Sequence, residues 1–252
     1  MSKLPIGLQL YTVRDDAARD FAGTLRKVAE IGYVGVELAG LHGLTREGLV
    51  ALLKETNLQV AGNHVGLEKL ETEFGQVVDE NLTYGNNTIV VPFLAKNRRE
   101  DAAGYRQVAE SLSAIGEQLA PHGLGLSYHN HAFEFETLDT GERGIDILIK
   151  NTDPALVGFE FDTYWIMVGG DDPVEFIARN AGRVPNIHLK DRDPGDGAFS
   201  ELGTGDLPLA EIVAAANASG SKWLIVEQDV CKRPPMDAIQ TSFDYLKAQG
   251  YA

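Results

Sequence analysis

The sequence has little cysteine, few basic residues and no long apolar run. Each of these shortages excludes a class of protein or a kind of partner. One cysteine, Cys231, excludes a disulfide framework and fits a reducing compartment. Lys and Arg number 22 against 37 Asp and Glu, and a net charge of −15 argues against nucleic acid as a partner, because it repels phosphates. Neither a signal peptide nor a membrane span is visible, so we expect a cytoplasmic protein with no membrane partner.

A Pro/Ser-rich linker and a charged block are missing too, so residues 1–252 are predicted to form one domain. Short β-rich runs alternate with segments of helical period along the whole chain, an arrangement typical of a parallel sheet covered by helices. Helices are predicted over residues 102–119, 207–218 and 236–249, among others. Eight strands are predicted, over residues 6–13, 33–39, 59–66, 88–94, 125–131, 157–166, 184–191 and 223–229.

Eight βα units favour a closed (β/α)₈ TIM barrel, which is α/β in class. An open doubly wound sheet is the competing fold, and it usually carries a glycine-rich phosphate turn after its first strand. Here the first strand runs into residues 11–16, which contain no glycine. The closed barrel is therefore the preferred prediction.

Polar residues recur on the inward parity of the predicted strands, near their carboxyl ends. In the sixth strand, Glu160 and Asp162 alternate with apolar residues, and in the seventh His188 and Lys190 do the same. Glu227 takes the equivalent inward position in the eighth. Active sites of such barrels are built at this end, so we expect these side chains to meet at one mouth.

The second, third and fifth strands add to the same mouth. Glu37 faces inward in the second strand, His64 ends the third, and His129 and His131 end the fifth, followed by Glu134. Taken singly, His64 or His129 is more often a hydrogen-bonded core histidine than a ligand, and an inward Glu is as often an ion-pair partner. Convergence at six strands favours a functional mouth.

Several carboxylates buried near one another need a cation to neutralise them. Carboxylate oxygens with an imidazole suit a divalent metal; Mn²⁺ is the preferred prediction, and Mg²⁺, Co²⁺ or Zn²⁺ also fit. By contrast, Lys190 has a structural interpretation of its own, as an ion-pair partner of Asp191 or Glu160.

The same residues carry a family resemblance, because the chain resembles the xylose isomerase-like barrel superfamily of sugar phosphate isomerases and epimerases. The matching segments, in chain order, are Gly7-Leu8-Gln9-Leu10-Tyr11-Thr12-Val13-Arg14, Tyr33-Val34-Gly35-Val36-Glu37, Tyr128-His129-Asn130-His131 with Glu134-Phe135, Phe161-Asp162-Thr163, His188-Leu189-Lys190-Asp191 and Leu202-Gly203-Thr204-Gly205. They span nearly the whole chain, and the superfamily includes isomerases, ketose 3-epimerases, inosose dehydratases, keto-glycoside lyases and an endonuclease branch.

The resemblance implies metal ligands on strands five to eight. Asp162, His188 and Glu227 match three of them. The fourth is a glutamate within strand five of the epimerases, where this sequence has Tyr128 or His129, so Glu134 is taken as the ligand, with His129 or His131 as the alternative.

The resemblance favours a sugar isomerase or epimerase that moves a proton next to a metal-bound carbonyl of a ketose or related polyol. Its candidate catalytic residues are Glu134, Glu227, His131 and Lys190. Its candidate substrate-binding residues are Glu37, His64, His129 and Trp165, the last as a stacking platform or a core residue.

Three alternatives stay open. A dehydratase or lyase uses the same site for elimination from a 3-keto sugar or inosose, and the histidine pair in place of an in-strand Glu favours it. A non-catalytic sugar-binding barrel or partner subunit is another. Association into a homo-oligomer is compatible with each of these functions. Phosphodiester cleavage, as in the endonuclease branch, conflicts with the charge of −15. Residues 202–205 offer either a phosphate grip or a tight turn, and residues 193–197 are predicted to form a mobile loop.

Overall fold

The structure, a computed structural model, describes residues 3–252 and contains the predicted closed barrel. All neighbouring barrel strands are parallel, and the first pairs with both the second and the last, which closes the ring. The (β/α)₈ prediction is thereby confirmed. The barrel strands are β1 (Ile6–Gln9), β2 (Gly35–Leu38), β3 (Gln59–His64), β4 (Thr88–Val91), β5 (Gly125–His129), β6 (Val157–Asp162), β7 (Asn186–Leu189) and β8 (Trp223–Val226).

Helices surround this ring and bury their apolar faces against it. The longest helix has the bounds that the sequence predicts, whereas the two predicted near the carboxyl end shift by one or two residues. The helices are α1 (Arg14–Arg19), α2 (Phe21–Ile31), α3 (Arg46–Thr56), α4 (Leu67–Thr72), α5 (Phe74–Tyr84), α6 (Ala102–Leu119), α7 (Gly144–Asn151), α8 (Thr163–Val168), α9 (Pro173–Arg179), α10 (Leu209–Ser219) and α11 (Pro235–Ala248). Among the described residues, none of these helices is long and apolar enough to cross a bilayer.

All eight strands end earlier than the β-rich composition predicts, and in two of them a polar side chain captures the backbone that follows. The Gln9 side chain accepts a hydrogen bond from the Tyr11 amide, and β1 gives way to a 3₁₀ turn over Leu10–Val13. Asp162 accepts one from the Trp165 amide and caps α8. The prediction that the sixth strand runs to residue 166 was therefore wrong, and Trp165 lies on a helix.

A hairpin of two short strands, Asp191–Arg192 and Phe199–Ser200, rises beside the mouth after β7. Its turn spans residues 193–198, and Lys232 pairs with Asp193 and Asp196 there. Below the turn, the Asp191 carboxylate accepts hydrogen bonds from the amides of Gly203, Gly205 and Leu207. Residues 202–205 thus form a turn around a carboxylate, and two of the N–H groups considered for a phosphate grip are occupied by it.

The interior of the barrel is packed from its amino-terminal end upward. Trp223 starts β8 on the inward parity, and its ring lies where a side chain on Gly35 would stand, since a Cβ there would approach the indole within 2.6 Å. Glu37, Glu160 and Asn186 fill the next level and are fully buried. The carboxyl end of the barrel is thus the end available for a site.

Candidate metal centre

Four side chains from consecutive strands meet at the carboxyl end of the barrel. His129 ends β5, Asp162 ends β6, His188 lies in β7 and Glu227 follows β8, and all four are buried. One ligand atom from each lies within 4.8 Å of the others. We call these four residues the outer group. The three ligands predicted on strands six to eight come together here, and His129 is the fourth member.

The donor set and its geometry fit a divalent metal. His188 Nδ1 lies 2.9 Å from Glu227 Oε2, yet this buried nitrogen has no hydrogen-bond partner among residues 3–252. Ligand atoms of one ion lie about 3 Å apart when each bond is about 2.0–2.2 Å long. His129 Nδ1 lies 3.3 Å from the Pro92 carbonyl, which can only accept, so Nε2 keeps its lone pair for the side that faces Asp162.

A second set, the inner group, lies one level deeper and shares His188. It contains Glu37, His64, Glu160 and His188. His188 Nε2 donates to Glu37 Oε2 at 2.6 Å and lies 3.0 Å from Glu160 Oε2. Because Nε2 makes this bond, Nδ1 of His188 faces the outer group. The inner group therefore orients the ring of His188, a candidate metal ligand.

The charges of the inner group stabilise one another. Burial disfavours a charged Glu37, but His64 and His188 outweigh it and hold the pKa of Glu37 well below its usual range. Burial likewise opposes a charged His64, but Glu37 and Glu160 raise its pKa to about 9. Glu37, predicted to bind substrate, is fully buried in this network, whereas His64 reaches the cavity above.

Lys190 is fully buried beside the outer group. Its Nζ lies 2.7 Å from Asp162 Oδ2, 2.7 Å from Glu227 Oε2 and 2.5 Å from Asp229 Oδ2. Burial works against the charge of Lys190, but the three carboxylates keep its pKa well above the ordinary value. Its partners are therefore not the predicted Asp191 or Glu160. Asp229 is not among the site residues predicted from the sequence, although it continues the inward parity two residues after Glu227.

The structure does not bring Glu134 to the metal centre. The 3₁₀ turn over Phe133–Phe135 sends its side chain back behind β5, where it accepts hydrogen bonds from the Tyr128 hydroxyl at 2.5 Å and the His131 amide at 2.8 Å. Among the described residues, neither the outer nor the inner group contains Glu134. Glu134 thus lies outside both groups, and His129 occupies the strand-five position in the outer group.

A cavity of about 500 Å³ opens above the centre. Its apolar side is formed by Tyr11, Ala39, Pro92 and Phe93, and its polar side by His64, His129, His131, Glu227 and Asp229. Tyr11 and Phe93 are roughly half exposed at the rim. The cavity joins a candidate metal centre to an apolar wall, which is a typical design for a small polar ligand.

Two aromatic side chains beside the cavity carry unpartnered nitrogens. His131 stacks on Phe133 at 5.4 Å between ring centroids, and its Nδ1 is buried without a partner. Burial, together with His129, lowers the pKa of His131 to about 3, so its ring is neutral. Trp165 packs between Phe199 and His131, so the predicted stacking face for a sugar is shared with protein rings.

Gly62 has no side chain, and the Glu37 carboxylate of the inner group occupies the space that a side chain there would fill. A Cβ at Gly62 would lie 2.2 Å from Glu37 Oε1, whereas at Gly7 the nearest atom would lie 3.5 Å away. Gly62→Ala is therefore expected to displace Glu37, misorient His188 and lower turnover about 10- to 100-fold. Steady-state kinetics with circular dichroism test this, and Gly7→Ala is the matched control. Full activity in Gly62→Ala would show that Glu37 does not orient the centre.

The buried carboxyl group of Glu134 is expected to make the free energy of unfolding depend on pH. Burial raises its pKa from about 4.5 to about 8, against the hydrogen bonds from Tyr128 and His131. Since the fold favours the protonated form, its contribution to stability is full below pH 4.5 and is lost as pH rises through 8. In that window we expect Glu134 to lower the free energy of unfolding by up to about 1.4 kcal/mol per pH unit.

Glu134→Gln is expected to remove this slope, and Glu136→Gln, at an exposed position, to retain it. Urea unfolding of wild type and both variants between pH 5 and pH 9 measures the difference. Parallel curves for wild type and Glu134→Gln would contradict the raised pKa.

Comparison with known proteins extends the resemblance. A family model described as xylose isomerase-like TIM barrel matches residues 25–249. An inosose dehydratase from Lactiplantibacillus plantarum is 28% identical to this chain over 269 aligned positions, which cover 88% of this chain and 86% of that protein.

Solved structures show the same fold. A sugar phosphate isomerase/epimerase from Parabacteroides distasonis superposes with a TM-score of 0.87 at 22% identity, covering 98% of this chain and 99% of the other. The IOLI protein, whose crystal structure contains a zinc atom, superposes with a TM-score of 0.77 at 14% identity and covers 99% of each chain.

Proposed function

Because the chain belongs to the xylose isomerase-like TIM barrel family, we propose that it is a metal-dependent dehydratase that eliminates water from a keto polyol such as an inosose. The observation that carries this proposal is His129 in the outer group. In the epimerase pattern, the strand-five ligand is a glutamate that also serves as one of two acid/base groups. An imidazole whose Nδ1 donates to a carbonyl offers a ligand there but no carboxylate base. The relatives named inosose dehydratase support the same chemistry.

We assign the metal to His129, Asp162, His188 and Glu227. When bound by these residues, a divalent ion would supply Lewis acidity at the substrate carbonyl and so make the neighbouring C–H more acidic. Two imidazoles with two carboxylates suit zinc, which the IOLI protein structure contains, so zinc is the first metal to test beside Mn²⁺.

The chain's own residues supply the remaining steps. His131 lines the cavity with a neutral ring, so it is the candidate base for the proton on the carbon next to the carbonyl. As the C–H electrons form the new double bond, the β C–O bond breaks and the hydroxyl leaves as water, taking the proton back from His131. Lys190 holds Asp162 and Glu227 in place throughout.

Metal removal and product analysis test the proposal. Protein stripped by a chelator is expected to lose turnover of inosose and to regain it with Zn²⁺ or Mn²⁺, giving a product lighter by one water. His131→Gln is expected to keep its metal and lose turnover. A product of unchanged mass and altered configuration would favour the epimerase instead, and full turnover in the stripped protein would refute a metal-dependent reaction.

A further inference from the structure

Glu134 is a fully buried carboxyl group to which the proposed reaction gives no task. It lies outside the outer and inner groups, in the turn that follows β5. Burial raises its pKa to about 8, so the fold keeps this group at a cost in stability at neutral pH. Titratable groups that burial perturbs this strongly cluster at functional sites, and Glu134 lies three residues after the candidate base, His131.

The two oxygens of Glu134 join His131 to the barrel. Oε2 accepts a hydrogen bond from the His131 amide at 2.8 Å, and Oε1 lies 2.5 Å from the Tyr128 hydroxyl. Tyr128 is fully buried, and its side chain points to the face of β5 opposite to that of His129. Because Tyr128 belongs to a barrel strand, the carboxyl group connects the backbone of His131 to a rigid element.

The ring of His131 is held by packing. It stacks on Phe133 at 5.4 Å between ring centroids, and it meets Phe93 at 5.5 Å and His129 at 4.9 Å edge to face. Catalytic histidines are commonly oriented by a carboxylate that binds the ring itself. Here the carboxyl group binds the backbone amide instead, so the direction of the ring depends on the turn and on these three contacts.

We propose that Glu134 is a positioning residue: by binding the His131 amide, it holds the imidazole toward the cavity for proton removal, without touching metal or substrate. The proposal rests on the proposed function, since it concerns the base of that reaction. A misplacement of about 1 Å at a reacting group can lower a rate about 100-fold. A turn released from the carboxyl group is therefore expected to slow proton removal and to leave metal and substrate binding intact.

Two substitutions of Glu134 separate its hydrogen bonds from its charge. In the protonated form that burial favours, it presents a carbonyl oxygen to the His131 amide and an O–H to the Tyr128 oxygen, and Gln presents a carbonyl oxygen and an N–H. Glu134→Gln is therefore expected to keep kcat within about 3-fold of wild type. Glu134→Met lacks both groups and is expected to lower kcat about 10- to 100-fold, with KM for inosose changed less than about 3-fold and metal content unchanged.

Two measurements identify the affected step. With inosose deuterated next to the carbonyl, the isotope effect on kcat is expected to be larger in Glu134→Met than in wild type, because proton removal becomes the slower step. Hydrogen exchange of the His131 amide needs no turnover, and it is expected to be at least about 10-fold faster in Glu134→Met than in wild type or Glu134→Gln. Thr152→Val is the matched control: it removes buried hydrogen bonds with Leu148 and Arg183 before β6, and it is expected to lower stability and leave both readouts unchanged.

The contrary results are distinct. Wild-type kcat in folded Glu134→Met would overturn the positioning role, as would a defect that lies in KM or in metal content. If Glu134→Met does not fold, Tyr128→Phe removes the support and leaves the carboxyl group, and an unchanged kcat there would overturn the proposal.

Failure of the proposed function is recognised separately. Full turnover in His131→Gln would remove the base and this inference together, whereas an inactive His131→Gln beside a fully active Glu134→Met would remove this inference alone. If wild type does not dehydrate inosose, the proposed function fails, and exchange of the His131 amide decides whether Glu134 holds the turn.

Discussion

Glu227→Gln is expected to lose its metal and to turn over inosose at least about 1,000-fold more slowly than wild type, since a ligand carboxylate becomes a neutral amide. Gln has nearly the same volume, and the side chain sits at the open end of the barrel, so the fold is expected to persist. Metal content by mass spectrometry, with turnover at saturating inosose, measures both effects.

Glu134→Gln provides the comparison for this experiment, because Glu134 is the other carboxylate that the sequence offers as a ligand. Its hydrogen bonds to Tyr128 and His131 place it behind β5, so the variant is expected to retain one metal per chain. Loss of metal from Glu134→Gln together with retention in Glu227→Gln would reverse our assignment. Retained metal and full turnover in Glu227→Gln would show that Glu227 is neither a ligand nor needed for the reaction, whereas a wild type that binds inosose without turning it over would favour a non-catalytic barrel.

Lys190→Met is expected to lower the free energy of unfolding of the metal-free protein by about 3–5 kcal/mol, because removing one partner of a buried ion pair leaves uncompensated charge. Methionine keeps much of the side-chain volume, so the loss reflects charge rather than a cavity. The substitution removes the ammonium group from three carboxylates at once, those of Asp162, Glu227 and Asp229.

Urea unfolding of metal-free Lys190→Met and wild type at neutral pH measures the difference. Lys69→Met removes an ion pair with Glu80 that is partly exposed on the Lys69 side, and it is expected to cost less than about 1 kcal/mol. Added metal is expected to restore part of the stability of Lys190→Met, since it supplies positive charge to the same carboxylates. An unchanged free energy of unfolding would mean that Lys190 is not the counter-ion of the centre.

The eight strands and the inward parity of their polar residues follow from the sequence, because alternation decides which side chains share a face. Asp162, His188 and Glu227 each lie on the parity opposite to apolar neighbours, and the structure brings them together. The sequence does not indicate which side chains contact one another across the barrel. Nothing in the spacing indicates that His188 belongs to both the outer and the inner group.

Glu134 and His129 show why the sequence left two candidates for the fourth ligand. Glu134 lies only five residues after His129, so either side chain was a candidate at the mouth. The outcome depends on a 3₁₀ turn and on Tyr128, an outward residue whose hydroxyl binds the carboxylate. Local hydrogen bonds likewise end β1 and β6 early, where β propensity alone predicts continuation.

The indole of Trp223 against Gly35 has a consequence for the traffic of small molecules. With that ring at the amino-terminal end and the inner group packed above it, the cavity among the described residues lies at the carboxyl end, where Tyr11 and Phe93 are half exposed. Under the proposed function, substrate would enter and product and water would leave through this one mouth. A new substrate molecule would then bind only after the product has left.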